Sequence, residues 1–284
     1  MNKILTRNQL SENVVKLTIE APVIAKKRKA GQFIILRTHK KRSERIPLTI
    51  ADADALKGTI TLVFQVVGKS TAELAAFQVG DSINDLVGPL GKATHIENFG
   101  NVVCIGGGIG IAPMHPIAQA LKGAGNNVTS ILGARTKGLL VMEEEVNKAS
   151  DKVIIVTDDG SYGEQGFVTN ALEKIINDGQ KVDVVVAIGP AIMMKMVCKV
   201  TEPHKIKTVV SLNTIMVDGT GMCGCCRVSV DGTTQFVCVD GPEFDGHKVD
   251  FDGMMKRQST YVDLEKQSYD IYKSHGCGNR CTCK

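Results

Sequence analysis

Five apolar runs, at residues 102–105, 128–132, 152–156, 182–188 and 208–212, alternate with helical stretches, and this rhythm restricts the fold more than any other property of the chain. Strands so continuously apolar are buried on both faces. Strands separated by helices pair in parallel beneath those helices, so residues 99–212 are expected to form a doubly wound α/β domain. Gly106-Gly107-Gly108-Ile109-Gly110-Ile111-Ala112-Pro113 stands between the first run and its helix. Glycines there let backbone approach a dinucleotide pyrophosphate, and a helix N-terminus favours its negative charge. The same residues also suit a tight strand-to-helix turn with no ligand, and the spacing is not the standard Rossmann one. Two later loops, residues 133–136 and 157–163, follow successive strands at the carboxyl edge where such sheets bind ligands. They contribute Arg135, Asp158 and Asp159. Gly189 and Pro190 open a further helix that carries Met193.

The first hundred residues read differently. Short segments at 14–19, 33–36, 58–67 and 81–87 alternate or run apolar and are broken by turn residues, which predicts a small barrel over residues 1–98. Beyond residue 212 the helix–strand rhythm stops, and residues 213–284 form a third unit with one short helix near 254–258.

Cysteines define that third unit. Of nine, only Cys104 and Cys198 precede residue 221. The N-terminus lacks a long apolar signal core and no apolar run approaches a membrane span, so the expected location is cytoplasmic. Thiols clustered in a reducing compartment point to a metal rather than to disulfides. Cys223 and Cys226 are spaced C-x2-C. Extended upstream to the C-x4-C-x2-C pattern of a plant-type 2Fe–2S site, the first position is Asp218, and Cys238, beyond the Asp231-Gly232 turn, is the fourth. Cys225 is left as a non-ligand. The competing reading is a structural zinc site with three Cys and one Asp, although zinc favours closed thiolate and imidazole sets. A second soft-ligand group, His275, Cys277, Cys281 and Cys283, suits tetrahedral zinc, while the plainer expectation is a chain end with exposed thiols.

The net charge of +4 is spread along the chain and does not predict nucleic-acid binding. Lys26, Lys27, Arg28 and Lys29, followed by Lys40, Lys41 and Arg42, read as solvated loops, or more sharply as a docking patch for an acidic partner. Arg135 and Lys137 suit a 2′-phosphate, and no acid ends that strand to bind a ribose 2′-hydroxyl.

Taken together, residues 218–226 resemble the cluster loop of the dihydroorotate dehydrogenase electron-transfer subunits. They are closer still to the small subunits of NADH-dependent ferredoxin:NADP oxidoreductase, also known as sulfide dehydrogenase subunits, in which the first ligand resembles Asp. The resemblance runs to about residue 258. It implies a ferredoxin-reductase-like flavin barrel, then a nucleotide domain, then a small 2Fe–2S domain. The cluster ligands it implies are Asp218, Cys223, Cys226 and Cys238. Gly107, Gly108, Gly110, Ala112 and Pro113 resemble the family's nucleotide turn, and Gly189-Pro190 through Met193 its nicotinamide side, with Ile188 where the family often has Cys. For FAD it implies Arg45, Pro47, Leu48 and Thr49, with the Thr49 hydroxyl near the flavin N5 as the catalytic position, then Gln65, Gly68, Lys69, Ser70 and Thr71. The activity implied is hydride exchange between NAD(H), in preference to NADP(H), and FAD, with single electrons passing to the cluster. A larger flavin and iron–sulfur subunit is implied as partner in a heterodimer, with ferredoxin reached through it and electron bifurcation as the overall process. A dihydroorotate or sulfide dehydrogenase subunit is the alternative, and a non-enzymatic zinc-binding module is the alternative of another class.

Overall fold

The structure, a computed structural model, describes residues 2–39 and 43–274. Lys40, Lys41 and Arg42 of the basic pair of clusters, and the His275, Cys277, Cys281 and Cys283 group, lie outside the described residues.

The N-terminal strands are β1 (Asn2–Ser11), β2 (Val14–Glu20), β3 (Phe33–Arg37), β4 (Ile46–Asp54), β5 (Thr59–Gln65), β6 (Ser82–Ile83) and β7 (Asp85–Leu90), with α1 (Pro22–Lys27) and α2 (Lys69–Ala75) between them. Alternation along β2 buries Val15, Leu17 and Ile19 against Ile34, Leu36, Ile60 and Leu62. All neighbours pair antiparallel in the order β6-β1-β2-β5-β4-β3-β7. The two edge strands are separated only by Asn84, so the sheet curls into a nearly closed barrel. The sequence suggests one strand over 81–87. The chain instead changes partner at Asn84, with Ile83 pairing to Asn2 and Asp85 to Arg37, which is how the barrel turns its corner.

The second unit contains β8 (Asn101–Gly107), α3 (Ile111–Gly123), β9 (Asn127–Ala134), α4 (Glu143–Lys148), β10 (Lys152–Thr157), β11 (Glu164–Gln165), α5 (Val168–Asn177), β12 (Val184–Ile188), α6 (Ala191–Thr201) and β13 (Lys207–Ser211). After it come β14 (Arg227–Val230), β15 (Thr233–Phe236), α7 (Val237–Asp240), β16 (Glu243–Asp245), α8 (Phe251–Gln258) and α9 (Val262–Ser274). The larger sheet runs β11-β10-β9-β8-β12-β13-β16. Its order departs in both directions from β8, so the switch point, where such sheets open a crevice, lies between β8 and β12. Every pair is parallel except the last: β16 returns antiparallel to β13, with Val209 opposite Asp245 and Ser211 opposite Glu243.

Two cores join the units. On one face of the sheet, Val103, Ile131, Leu172 and Val185 pack in one cluster with Cys226, Val237, Cys238 and Phe251, so the cysteine-rich segment shares the core of the nucleotide domain. On the other face, α3 buries Ile111, Met114, Ile117 and Leu121 beside Val14, Ala51 and Val63 of the barrel. His115 belongs to this seam: it is buried, and its Nδ1 lies 3.2 Å from the carbonyl of Ala51.

Candidate functional site

At the switch point, β8 ends in Gly107 and the chain makes one 3-10 turn, Gly108–Gly110, before α3 begins. Gly108 has φ +57° with open space around it, a left-handed conformation that favours glycine. Gly110 is required for a second reason. A Cβ there would collide with the carbonyl oxygen of Ile188 and stand 2.8 Å from Gly189 Cα, so β12 and the turn meet backbone to backbone. Met193, from the first turn of α6, lays its sulfur against Gly107 and its methyl against Gly189. Gly107, Gly110, Gly189, Pro190 and Met193 therefore gather into one wall. Ala112 and Pro113 belong to the first turn of α3, and Ala112 is buried in the core.

At the neighbouring strand ends, Arg135 is exposed just beyond β9, and the amides of Asp158 and Asp159 donate to the carbonyls of Ala134 and Arg135 at 3.1 and 3.3 Å. Asp159 accepts the Ser161 amide at 3.0 Å, and Ser161 holds its carboxyl below the usual range.

On the barrel side, β5 packs against the Gly108–Gly110 turn, which brings Gln65 and the segment leading into α2 beside the nucleotide crevice. Gly68 has open space where a Cβ would stand. Thr71 is already engaged: its Oγ1 accepts the amides of Val67 and Gly68, both at 3.1 Å, and donates to the carbonyl of Gly68. The hydroxyl read as a phosphate ligand thus caps α2, while Lys69 and Ser70 occupy its first turn. In β4, Ile46 and Leu48 lean on the barrel core, and Pro47 and Thr49 take the alternate face. Arg45 pairs with Asp85 at 3.3 Å, and Arg37 Nε lies 3.4 Å from the same oxygen.

The cysteine loop begins at Asp218. Its carboxylate accepts the amides of Thr220, Met222 and Cys223 at 3.0–3.1 Å, bonds that hold its pKa below the usual range. Gly219, Gly221 and Gly224 all have positive φ and wrap the loop tightly. Cys223 Sγ lies 3.5 Å from Asp218 Oδ1, and Cys226 Sγ lies 3.2 Å from Cys238 Sγ. Burial pushes the Cys238 thiol up to about 12, with the neighbouring Cys226 sulfur adding to the shift. Burial also raises Cys223, but backbone amides more than offset it, so this thiol is lowered. Cys225 lies beside Cys223: its sulfur is 3.9 Å from the Cys223 carbonyl, the hydrogen bond between the two thiols raises its pKa and helps lower that of Cys223, and Arg257 donates to its backbone oxygen at 3.2 Å. Among the described residues, no three His, Cys, Asp or Glu side chains converge as one metal ion would require. The donors fall instead into two pairs, Asp218 with Cys223 and Cys226 with Cys238.

The loop also reaches the barrel. A Cβ on Gly219 would stand 2.8 Å from both Ile35 and Leu90, and Ile35 pairs across the sheet with Pro47.

Comparison with known proteins agrees with this layout. Residues 104–199 match the model of the oxidoreductase NAD-binding domain, and residues 213–250 match the iron–sulfur cluster binding domain of dihydroorotate dehydrogenase B. A Thermotoga maritima protein, the dihydroorotate dehydrogenase B (NAD(+)) electron transfer subunit homolog, is 49% identical over 96% of this chain and 95% of its own. The chain belongs to the dihydroorotate dehydrogenase B electron-transfer subunit family. A member from Geobacillus thermodenitrificans is 33% identical over 85% of this chain and 94% of its own. A chain of the NADH-dependent reduced ferredoxin-NADP oxidoreductase, solved in work on flavin-based electron bifurcation, is 46% identical and superposes with a TM-score of 0.91, covering 96% of this chain and 98% of that one. An Amycolatopsis cytochrome P450 reductase, 19% identical with a TM-score of 0.60 over 72% of this chain and 66% of its own, shares the ferredoxin-reductase-like fold. This member of the family is thus an oxidoreductase electron-transfer subunit with NAD-binding and iron–sulfur domains. No helix among the described residues is long and apolar enough to cross a membrane.

Sequence reasoning missed Thr94 and Glu243, whose side chains meet between the barrel and the sheet, and the contact of Glu143 with Tyr162. Neither pair is close in sequence or part of a periodic pattern, so no local signal marks them.

Proposed function

We propose that this chain takes hydride from NADH onto FAD and passes single electrons to a 2Fe–2S cluster and onward to a larger flavin and iron–sulfur subunit, as part of a bifurcating NADH-dependent ferredoxin:NADP oxidoreductase. One contact carries this reading: Gly219 of the cysteine loop rests on Ile35, whose strand partner Pro47 belongs to the flavin strand. Adjacent strands lie about 4.8 Å apart, so the cysteine loop is one strand removed from Thr49.

When bound, the flavin supplies two-electron acceptance and one-electron release, and the cluster supplies single-electron storage. The chain's own residues orient and shield. Asp218, Cys223, Cys226 and Cys238 are the cluster ligands in this reading. Their two pairs suit two irons better than one zinc, and the amides gathered on Asp218 keep its carboxylate charged. Pro47, Thr49, Gln65, Gly68, Lys69 and Ser70 line the flavin side, while Leu48 packs on the barrel core behind them. Thr71 fixes α2, and Arg45 fixes the β4–β7 corner through Asp85. Thr214, between β13 and the loop, has a buried hydroxyl without a hydrogen-bond partner, a donor available to a bound group. Gly107, Gly108, Gly110, Ala112, Pro113, Arg135, Asp158, Asp159, Gly189, Pro190 and Met193 form the nucleotide side. Val217, Met222 and Val239 leave apolar surface exposed around the loop, with Met222 89% exposed, which supports a partner seated there.

The test is anaerobic purification with FAD, iron and zinc counted per chain, followed by NADH titration in a stopped-flow spectrometer. About one FAD and two irons, bleached by NADH, is the expected result. A colourless, zinc-loaded protein would overturn the reading.

A further inference from the structure

Lys137 is one of the two cations that suit a 2′-phosphate at the end of β9, yet it is committed elsewhere. Its Nζ lies 4.9 Å from the centre of the Tyr162 ring, and its amide donates to Ser161 Oγ at 2.8 Å. Tyr162 is held at both ends. Its hydroxyl donates to Glu143 Oε1 at 2.9 Å, and its backbone exchanges hydrogen bonds with Thr157 Oγ1 at 2.7 and 3.1 Å. Two loops at the carboxyl edge of the sheet, after β9 and after β10, are thereby tied to each other and to the start of α4.

The charges follow from this geometry. The Lys137 ammonium sits on the face of a phenol whose hydroxyl is bonded to a carboxylate, so its charge is balanced through the ring. The Glu143 hydrogen bond, reinforced by its charge, raises the pKa of Tyr162 and keeps the phenol a donor. Glu144 stands in the first turn of α4, where Glu145 is paired with Lys16 at 2.9 Å, and Asp158 and Asp159 stand on the loop after β10. A group carrying nearly two negative charges would meet this acidic surface, and its lysine would have to leave the ring to receive it. A neutral hydroxyl faces no such obstacle.

We propose that Glu143 is a positioning residue that, through Tyr162 and Lys137, makes this crevice accept a ribose 2′-hydroxyl and reject a 2′-phosphate. The inference rests on the reading of the crevice as an NAD(H) site. It places the discrimination on an acid nine residues beyond the strand, brought back by a tyrosine from the next loop.

The test is calorimetric binding of 5′-AMP and of adenosine 2′,5′-bisphosphate to the full chain, wild type, Glu143→Gln and Tyr162→Phe. The wild type binds 5′-AMP more tightly. Each variant shifts the ratio of the two dissociation constants about tenfold toward the bisphosphate, about 1.4 kcal/mol. Adding Lys137→Ala to Glu143→Gln returns the ratio most of the way, since the released lysine is what receives the phosphate. With NADPH as reductant, the gain appears in KM rather than kcat. A wild-type preference for 5′-AMP with a ratio unmoved in both variants overturns this proposal alone. A wild-type preference for the bisphosphate overturns the NAD(H) reading and this proposal with it.

Discussion

Thr94 Oγ1 donates a 2.5 Å hydrogen bond to Glu243 Oε1, and this pair joins the segment leaving the barrel to the strand that completes the nucleotide sheet. The amide of Thr94 reaches back to Ala30, and that of Lys92 to Gly241, so all three units meet here. Gly31 makes the approach possible, since a side chain at its φ of +79° would strike Thr94 and Glu243 together. Lys92, His95, Lys207, Asp240 and Asp245 line an adjoining cavity of about 350 Å³.

Burial pushes the Glu243 carboxyl up to about 7 from an ordinary 4.5, against the pull of Thr94. The folded chain therefore holds this proton more tightly than the unfolded chain does. The resulting stability is full below pH 4.5 and is lost as pH rises through 7, a swing of about 3 kcal/mol. Denaturant midpoints at pH 5 and pH 8 should differ in the wild type, and Glu243→Gln should remove most of that difference. Equal slopes in the two proteins would assign the pH dependence elsewhere.

Cys225→Ser should retain iron close to wild-type content, because this thiol, although it bonds to Cys223, falls outside the C-x4-C-x2-C positions. Cys223→Ser should lose most of it. Iron per chain after anaerobic reconstitution decides the matter, and an equal loss in both variants would bring Cys225 into the ligand set.

Gly110 and Gly123 bound the same helix and should respond in opposite directions. Gly110→Ala forces a Cβ into the backbone of Ile188 and Gly189, which should cost about 2 kcal/mol and abolish nucleotide binding. Gly123→Ala meets nothing within 4 Å and should gain about 0.5–1 kcal/mol from helix propensity. Thermal midpoints of the two variants check the order.

Thr71→Val removes the hydroxyl that holds the amides of Val67 and Gly68. Loss of a cap is worth about 1 kcal/mol, and α2 should fray at the flavin side of the crevice. The expected result is a lower FAD-to-protein ratio after gel filtration, with iron content unchanged. Full flavin retention would show that the cap has no part in holding it.

The parallel strands and α5 were legible in the sequence because residues such as Val185 and Leu172 are buried there and the sequence shows it as apolar runs at the right period. The Asp231-Gly232 turn likewise announced the β14–β15 hairpin. β1 was illegible because among its ten residues only Ile4 is buried, so the strand has no apolar face to read. No residue of α9 is buried and Leu264 and Ile271 are exposed, which hid that helix for the same reason. β16 is three residues long and exists because β13 offers it an open edge, a fact about the sheet rather than about Glu243–Asp245. At the site, spacing singled out Cys223, Cys226 and Cys238 as candidates. It could not show that Arg45 is tied to Asp85 or that Thr71 caps its own helix, since those are contacts made by the folded chain.

The chain leaves the sheet after Ser211 and returns at Glu243, directly opposite, with the Leu212 amide bonded to the carbonyl of Pro242 at 2.9 Å. The cysteine loop therefore has both feet planted on neighbouring strands. The loop is closed by strand pairing, and what lies between its feet is a short glycine-rich arc. The ends of the arc are therefore fixed by the nucleotide sheet itself, and the cysteines are presented from a frame that does not depend on them.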